Sequence, residues 1–87
     1  MFRVKIERRA TKELARLPRS DADRVILAIL SLAENPRPVG CVKLSGTKKR
    51  LYRIRVSDYR VIYEVQDAIL LVLVVRVAGR DEVYRGL

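Results

Sequence analysis

The stretch Leu51-Tyr52-Arg53-Ile54-Arg55-Val56-Ser57-Asp58-Tyr59-Arg60-Val61-Ile62-Tyr63-Glu64-Val65 alternates in side-chain character on both sides of a Ser-Asp pair. Alternation with a period of two, interrupted by a short polar turn, reads as a β-hairpin. A two-residue turn at Ser57-Asp58 fixes which residues face each other. Val56 then meets Tyr59, Ile54 meets Val61 and Tyr52 meets Tyr63, so this apolar and aromatic face should lie against a covering layer. On the other face Arg55 meets Arg60, Arg53 meets Ile62 and Leu51 meets Glu64. Like charges directly opposite each other destabilise a strand pair. The repulsion is relieved when an anion sits between them, and the guanidinium fork matches phosphate oxygens. With Arg53 on the same face, the hairpin reads as an anion-binding surface.

The rest of the chain supplies the covering layer. Phe2, Val4 and Ile6 alternate with Arg3 and Lys5 and predict a first strand. Ala10, Leu14 and Leu17 mark one face of a short helix, which Pro18 stops. Ser20 suits an N-cap, and Asp21 and Asp23 favour a helix start. Ala22, Val25, Ile26, Ile29, Leu30 and Ala33 predict a longer helix over 21–34, ended by Asn35-Pro36-Arg37-Pro38. Beyond the hairpin, Gln66-Asp67-Ala68 predicts a turn. The nearly unbroken apolar run Ile69 to Val77 predicts a strand buried on both faces. The order β-α-α-β-β-β predicts an α+β fold, with a helical hairpin packed on one face of a small, mainly antiparallel sheet.

Length and composition bound the function. The chain has 87 residues, with 19 Lys+Arg against 10 Asp+Glu, no His, and a single Cys, Cys41. This length predicts one domain over residues 1–87. One cysteine forms no internal disulfide, and without histidine neither zinc sites of the Cys/His type nor His-dependent triads can be built. The close acidic pairs, Asp21/Asp23 and Asp81/Glu82, do not predict a metal cluster, and no cofactor is expected. The N-terminus lacks an apolar signal core, and the apolar run Ala68 to Val75 is far short of the roughly 20 residues a membrane span needs. A cytoplasmic protein that stays off membranes is expected. The net charge of +9 favours an anionic partner, nucleic acid first. Lys43, Lys48, Lys49, Arg50, Arg53, Arg55 and Arg60, opposed only by Asp58, concentrate most of that charge between residues 43 and 60.

The hairpin block, together with Leu44-Ser45-Gly46, Val77-Ala78-Gly79-Arg80 and Val83-Tyr84-Arg85, resembles the RelE/ParE toxin superfamily of type II toxin–antitoxin systems, and within it the RelE branch. The resemblance covers nearly the whole chain. It implies a toxin that enters the ribosomal A site and cuts the mRNA there. It also implies a separate, RelB-like antitoxin chain, whose complex with the toxin binds operator DNA. The superfamily's basic pair falls on Arg53 and Arg55, its third-strand arginine on Arg60, and its tail arginine and tyrosine on Arg80 and Tyr84. Well-known members carry lysine where this chain has Arg53 and Arg55, and the C-terminal helix of longer members is missing.

Metal-independent RNA cleavage needs a base at the 2′-hydroxyl, positive charge on the phosphate and an acid at the leaving 5′-oxygen. Arginine is effectively always protonated and makes a poor base. The resemblance therefore implies that Arg53, Arg55 and Arg60 hold the phosphate, Tyr84 acts as base and stacking group, and Arg80 stabilises the transition state. Lys43, Lys48, Lys49 and Arg50 are expected to grip RNA phosphates without reading sequence. Two other readings stand beside this one. One is a ParE-like, non-enzymatic inhibitor of DNA gyrase. The other is an inactive RelE-fold protein acting only in a repressor complex.

Overall fold

The computed structural model describes residues 1–46 and 49–79. The elements run β1 (Arg3–Ile6), α1 (Arg8–Ala15), α2 (Arg19–Ser31), β2 (Val42–Lys43), β3 (Leu51–Val56), β4 (Tyr59–Gln66) and β5 (Leu71–Gly79), with a 3₁₀ turn at Asp67–Ile69. The strands form one sheet in the order β1-β5-β4-β3-β2. β1 runs parallel to β5, and every other pair is antiparallel. The expected α+β architecture is present, with one addition: the two-residue strand β2 on the outer edge of β3.

The β3–β4 register is the expected one at each of its six pairs. Ser57 takes a left-handed φ of 53° in the turn, a conformation that costs a non-glycine residue energy. Contacts with α2 hold this end in place. The Tyr59 hydroxyl donates to Asp21 Oδ2 at 3.0 Å, and Arg24 donates to Ser57 Oγ at 3.4 Å. The bond to Asp21 also holds the Tyr59 phenol above its ordinary pKa.

One sheet face meets the helices. Tyr52, Ile54, Val61, Tyr63, Val65, Val72, Val74 and Val77 pack against Ala10, Leu14, Val25, Ile29 and Leu32. Each fully buried aliphatic side chain in such a layer contributes about 1.5–3 kcal/mol. Tyr63 and Tyr52 stack at 5.9 Å, and the Tyr63 hydroxyl donates to the Pro36 carbonyl at 2.7 Å. Arg37, from the same loop, lies 5.1 Å from the Tyr52 ring centroid and donates to its hydroxyl at 3.0 Å. Two further bonds from Arg37 grip Asp67 at 3.1 and 2.7 Å and hold that carboxyl below the usual aspartate range. The loop after α2 is thereby fastened to the turn before β5.

Element boundaries differ from the sequence reading: α1 ends at Ala15, short of Leu17, and β4 runs one residue further, to Gln66. α2 starts at Arg19, with Pro18 in the cap position. Ser20 therefore lies inside the helix, and the Pro18 carbonyl accepts the Ala22 N–H at 2.9 Å. At its other end α2 stops at Ser31, where i→i−3 bonds at Leu32, Ala33 and Glu34 tighten the chain. β5 begins at Leu71 instead of Ile69, because Asp67–Ile69 coil into the 3₁₀ turn and Leu70 takes a left-handed φ of 51°. β5 is interior to the sheet, but the middle strand is β4. No described helix is long and apolar enough to cross a membrane.

Candidate anion site on the open sheet face

The face of the sheet turned away from the helices can be read row by row from the strand register. Arg55, Arg60 and Ala78 lie across one row, and Arg53, Ile62 and Arg76 across the next. Leu51, Glu64, Leu73 and Lys5 follow, and then Gln66, Leu71 and Arg3. Leu51, Ile62 and Ala78 form a small second apolar cluster, with Leu44 and Val75 packed on it. The arginines therefore stand around a dry floor.

Arg60 is the unusual member. Only 8% of it is exposed, yet its guanidinium has no hydrogen-bond or ion-pair partner among the described residues. The strand register sets Arg55, which is exposed, directly opposite it. Removing a guanidinium from water without a partner is unfavourable, and a like charge across the strand pair adds to the cost. Glu64 relieves neither arginine. It lies four residues from Arg60, about 13 Å along the strand. Its carboxylate accepts a bond from Gln66 at 3.2 Å. Arg53 is half-buried and is engaged within the chain.

The other basic residues are distributed differently from the linear charge run. Lys43 pairs with Tyr52, which places it at the sheet edge on the opposite face from the arginines. Arg50 lies at the open end of the hairpin, 3.8 Å from Asp67 Oδ2. It is about 17 Å along the strand from Arg55. Lys49 adjoins Arg50 and is exposed. Lys48, Arg80 and Tyr84 lie outside the described residues. β5 ends at Gly79, one residue beyond Ala78 in the Arg55–Arg60 row.

Two features escaped the sequence reading. Arg3 and Lys5 share the open face because β1 docks in parallel beside β5, a long-range pairing that local alternation does not reveal. Arg76, buried within β5, is held by Glu13 of α1: its Nε lies 3.0 Å and its Nη2 3.0 Å from Glu13 Oε2. Glu13 Oε1 also accepts the Val77 N–H at 2.8 Å. β1 has ended by this point, so one carboxylate both caps the uncovered edge of β5 and neutralises Arg76. The available signal was a charged residue inside an apolar strand, which needs a partner.

Beside the site, α2, the Pro38–Gly40 loop and the free edge of β3 enclose a groove of about 390 Å³, with Ala28, Leu32, Val39, Ile54 and Val56 in its walls. Val39, in the groove wall, and Leu27, next to it on α2, are exposed large apolar residues, and Ile26 and Leu30 are exposed further round α2. Among the described residues no three His, Cys, Asp or Glu side chains converge as metal ligands.

Comparison with known proteins identifies the family and the fold. The family described as the ParE toxin of the type II toxin–antitoxin system parDE matches residues 4–84. The structure is similar to that of archaeal RelE, in its complex with RelB, from Pyrococcus horikoshii OT3, with 33% identity and a TM-score of 0.81, covering 93% of this chain and 97% of that one. It is also similar to the isolated E. coli RelE toxin, with 30% identity and a TM-score of 0.78, covering 97% and 92% of the two chains. The fold is shared with the RelBE2 complex of Mycobacterium tuberculosis at 22% identity and a TM-score of 0.80, covering 91% and 98%. No curated sequence relative matches the chain. With the family matched over nearly its whole length, and RelE toxins matched in sequence and fold, the chain belongs to the RelE/ParE superfamily of toxins of type II toxin–antitoxin systems.

Proposed function

We propose that this toxin is a ribosome-dependent endoribonuclease that cuts mRNA in the A site. The observation that supports this reading most is Arg60, nearly buried, unpartnered among the described residues and opposed by Arg55. A phosphodiester seated there is bound by Arg53, Arg55 and Arg60. The bound charge becomes most valuable as the phosphorus gains negative charge in the transition state. The 2′-oxygen attacks the adjacent phosphorus, the bond to the 5′-oxygen breaks, and a 2′,3′-cyclic phosphate forms. The proton lost from the 2′-hydroxyl is balanced by one delivered to the leaving 5′-oxygen. Tyr84 is proposed as base and base-stacking group, and Arg80 as the group that stabilises the transition state and assists the leaving oxygen. Both follow in sequence from Gly79, where β5 ends next to the arginine row. Such acid–base groups are weak, so alignment of the mRNA by the ribosome has to supply much of the rate.

The partner is proposed to be a RelB-like antitoxin chain, as in the complexes of the structural relatives. The apolar band of α2, its groove and the β3 edge beyond Arg53 offer it a surface. Operator DNA is reached through that complex. A second reading, gyrase inhibition without catalysis, is favoured by the ParE description of the matching family. Pulse-labelling after induced expression separates the two. The ribonuclease reading expects protein synthesis to stop at once, with supercoiling by purified gyrase unaffected by the toxin. Blocked supercoiling with translation still running would select the gyrase reading.

A further inference from the structure

Outside the sheet face, the most charged surface is the outer side of α1. Arg8, Lys12 and Arg16 follow one another at intervals of four, with Arg9 beside them and Arg19 opening α2. All five are exposed, and none has a side-chain hydrogen bond or ion pair among the described residues. At 3.6 residues per turn the stripe lies opposite the buried pair Ala10 and Leu14. The only acid on the helix, Glu13, is turned inward to Arg76.

Helix stability accounts for only part of this pattern: Lys12 in the last turn and Arg16 at the C-cap suit the helix dipole. The first turn of α1 holds Arg8 and Arg9 and no acid, against the helix dipole. Basic residues four apart on a helix also repel one another. Successive members of the stripe are separated by about 6 Å along the axis, comparable to neighbouring phosphates on a nucleic-acid strand. No large apolar residue is exposed on α1; those beside the groove lie on α2 and the following loop. A protein interface needs an apolar centre, whereas a nucleic-acid interface is polar and positive.

We infer that the outer face of α1 is a second RNA-binding surface, tracking the phosphate backbone of structured RNA on the side of the molecule opposite the arginine site. The inference rests on the ribosomal reading above and deepens it: mRNA binds at the sheet face and folded RNA at α1.

The test is the affinity of the full chain for purified ribosomes, for a random-sequence RNA duplex and for poly-glutamate across a salt series. Wild type is compared with the triple variant Arg8→Ala, Lys12→Ala, Arg16→Ala. Alanine preserves helix propensity, and circular dichroism checks the fold. The expected result is an affinity loss of about tenfold or more near 0.1 M salt, with the salt slope flattened by about one for each lost phosphate contact. Unchanged affinity and slope would overturn the inference. So would a loss confined to a poly-glutamate probe, which would make α1 a contact for an acidic protein. Cleavage of mRNA by the wild type is read in the same ribosome samples. Its absence would count against the enzymatic reading alone and leave the binding comparison to decide the α1 surface.

Discussion

Arg60 lies almost out of water beside a second arginine, and nothing in the packing of a small sheet calls for a charge there. Its neighbours on the open face, Ile62 and Ala78, would accept an apolar side chain. Arg60→Leu is therefore expected to keep the unfolding free energy from urea denaturation or raise it, by up to about 1 kcal/mol from relieved repulsion. The same change should lower ribosome-dependent cleavage by about 100-fold or more, as the loss of a transition-state charge partner does. A destabilised variant with full activity would make Arg60 a structural residue. Arg55–Arg60 was legible in the sequence because a two-residue turn and strict alternation fix a hairpin locally. Arg76–Glu13 was not, because the two residues are 63 positions apart and meet only once α1 packs on β5.

α1 has two opposite faces with separate tasks. Its inner flank supplies Glu13, which closes the β5 edge where β1 has run out. Glu13→Ala removes the carboxylate that neutralises a buried guanidinium and uncovers a backbone N–H, and should cost about 3 kcal/mol in urea denaturation. Replacing both partners, Glu13→Leu with Arg76→Met, should recover much of that loss, because two apolar groups need no pairing. If the double variant were no better than Glu13→Ala, the backbone cap at Val77 would be the dominant role of Glu13. Elements made by short-range periodicity were readable: both helices, the hairpin and the last strand. What escaped depends on tertiary partners. β2 is two residues drawn onto the β3 edge, β1 owes its place to a parallel pairing, and Val75 is an extra residue where the β4–β5 register shifts. The start of β5 moved because the chain coils at Asp67–Ile69, where Arg37 grips Asp67.

The molecule spans 34 × 28 × 25 Å and carries positive charge on two opposite sides, with an apolar, groove-lined flank between them. The sequence located the net charge but not its division. The run from Lys43 to Arg60 reads as one patch in the chain. In the fold it separates into the arginine face near the hairpin turn, the Arg50 end beside Asp67, and Lys43 on the other side of the sheet. Two basic sides and weak acid–base groups fit the proposal of a toxin that contacts RNA on both sides and leaves alignment of the mRNA to the ribosome. The most direct test is primer extension on a defined mRNA in a reconstituted translation system, with and without ribosomes. The expected result is a new 5′ end inside the A-site codon that appears only when ribosomes and toxin are both present. Intact mRNA on toxin-treated ribosomes, or equal cutting of free mRNA, would contradict it.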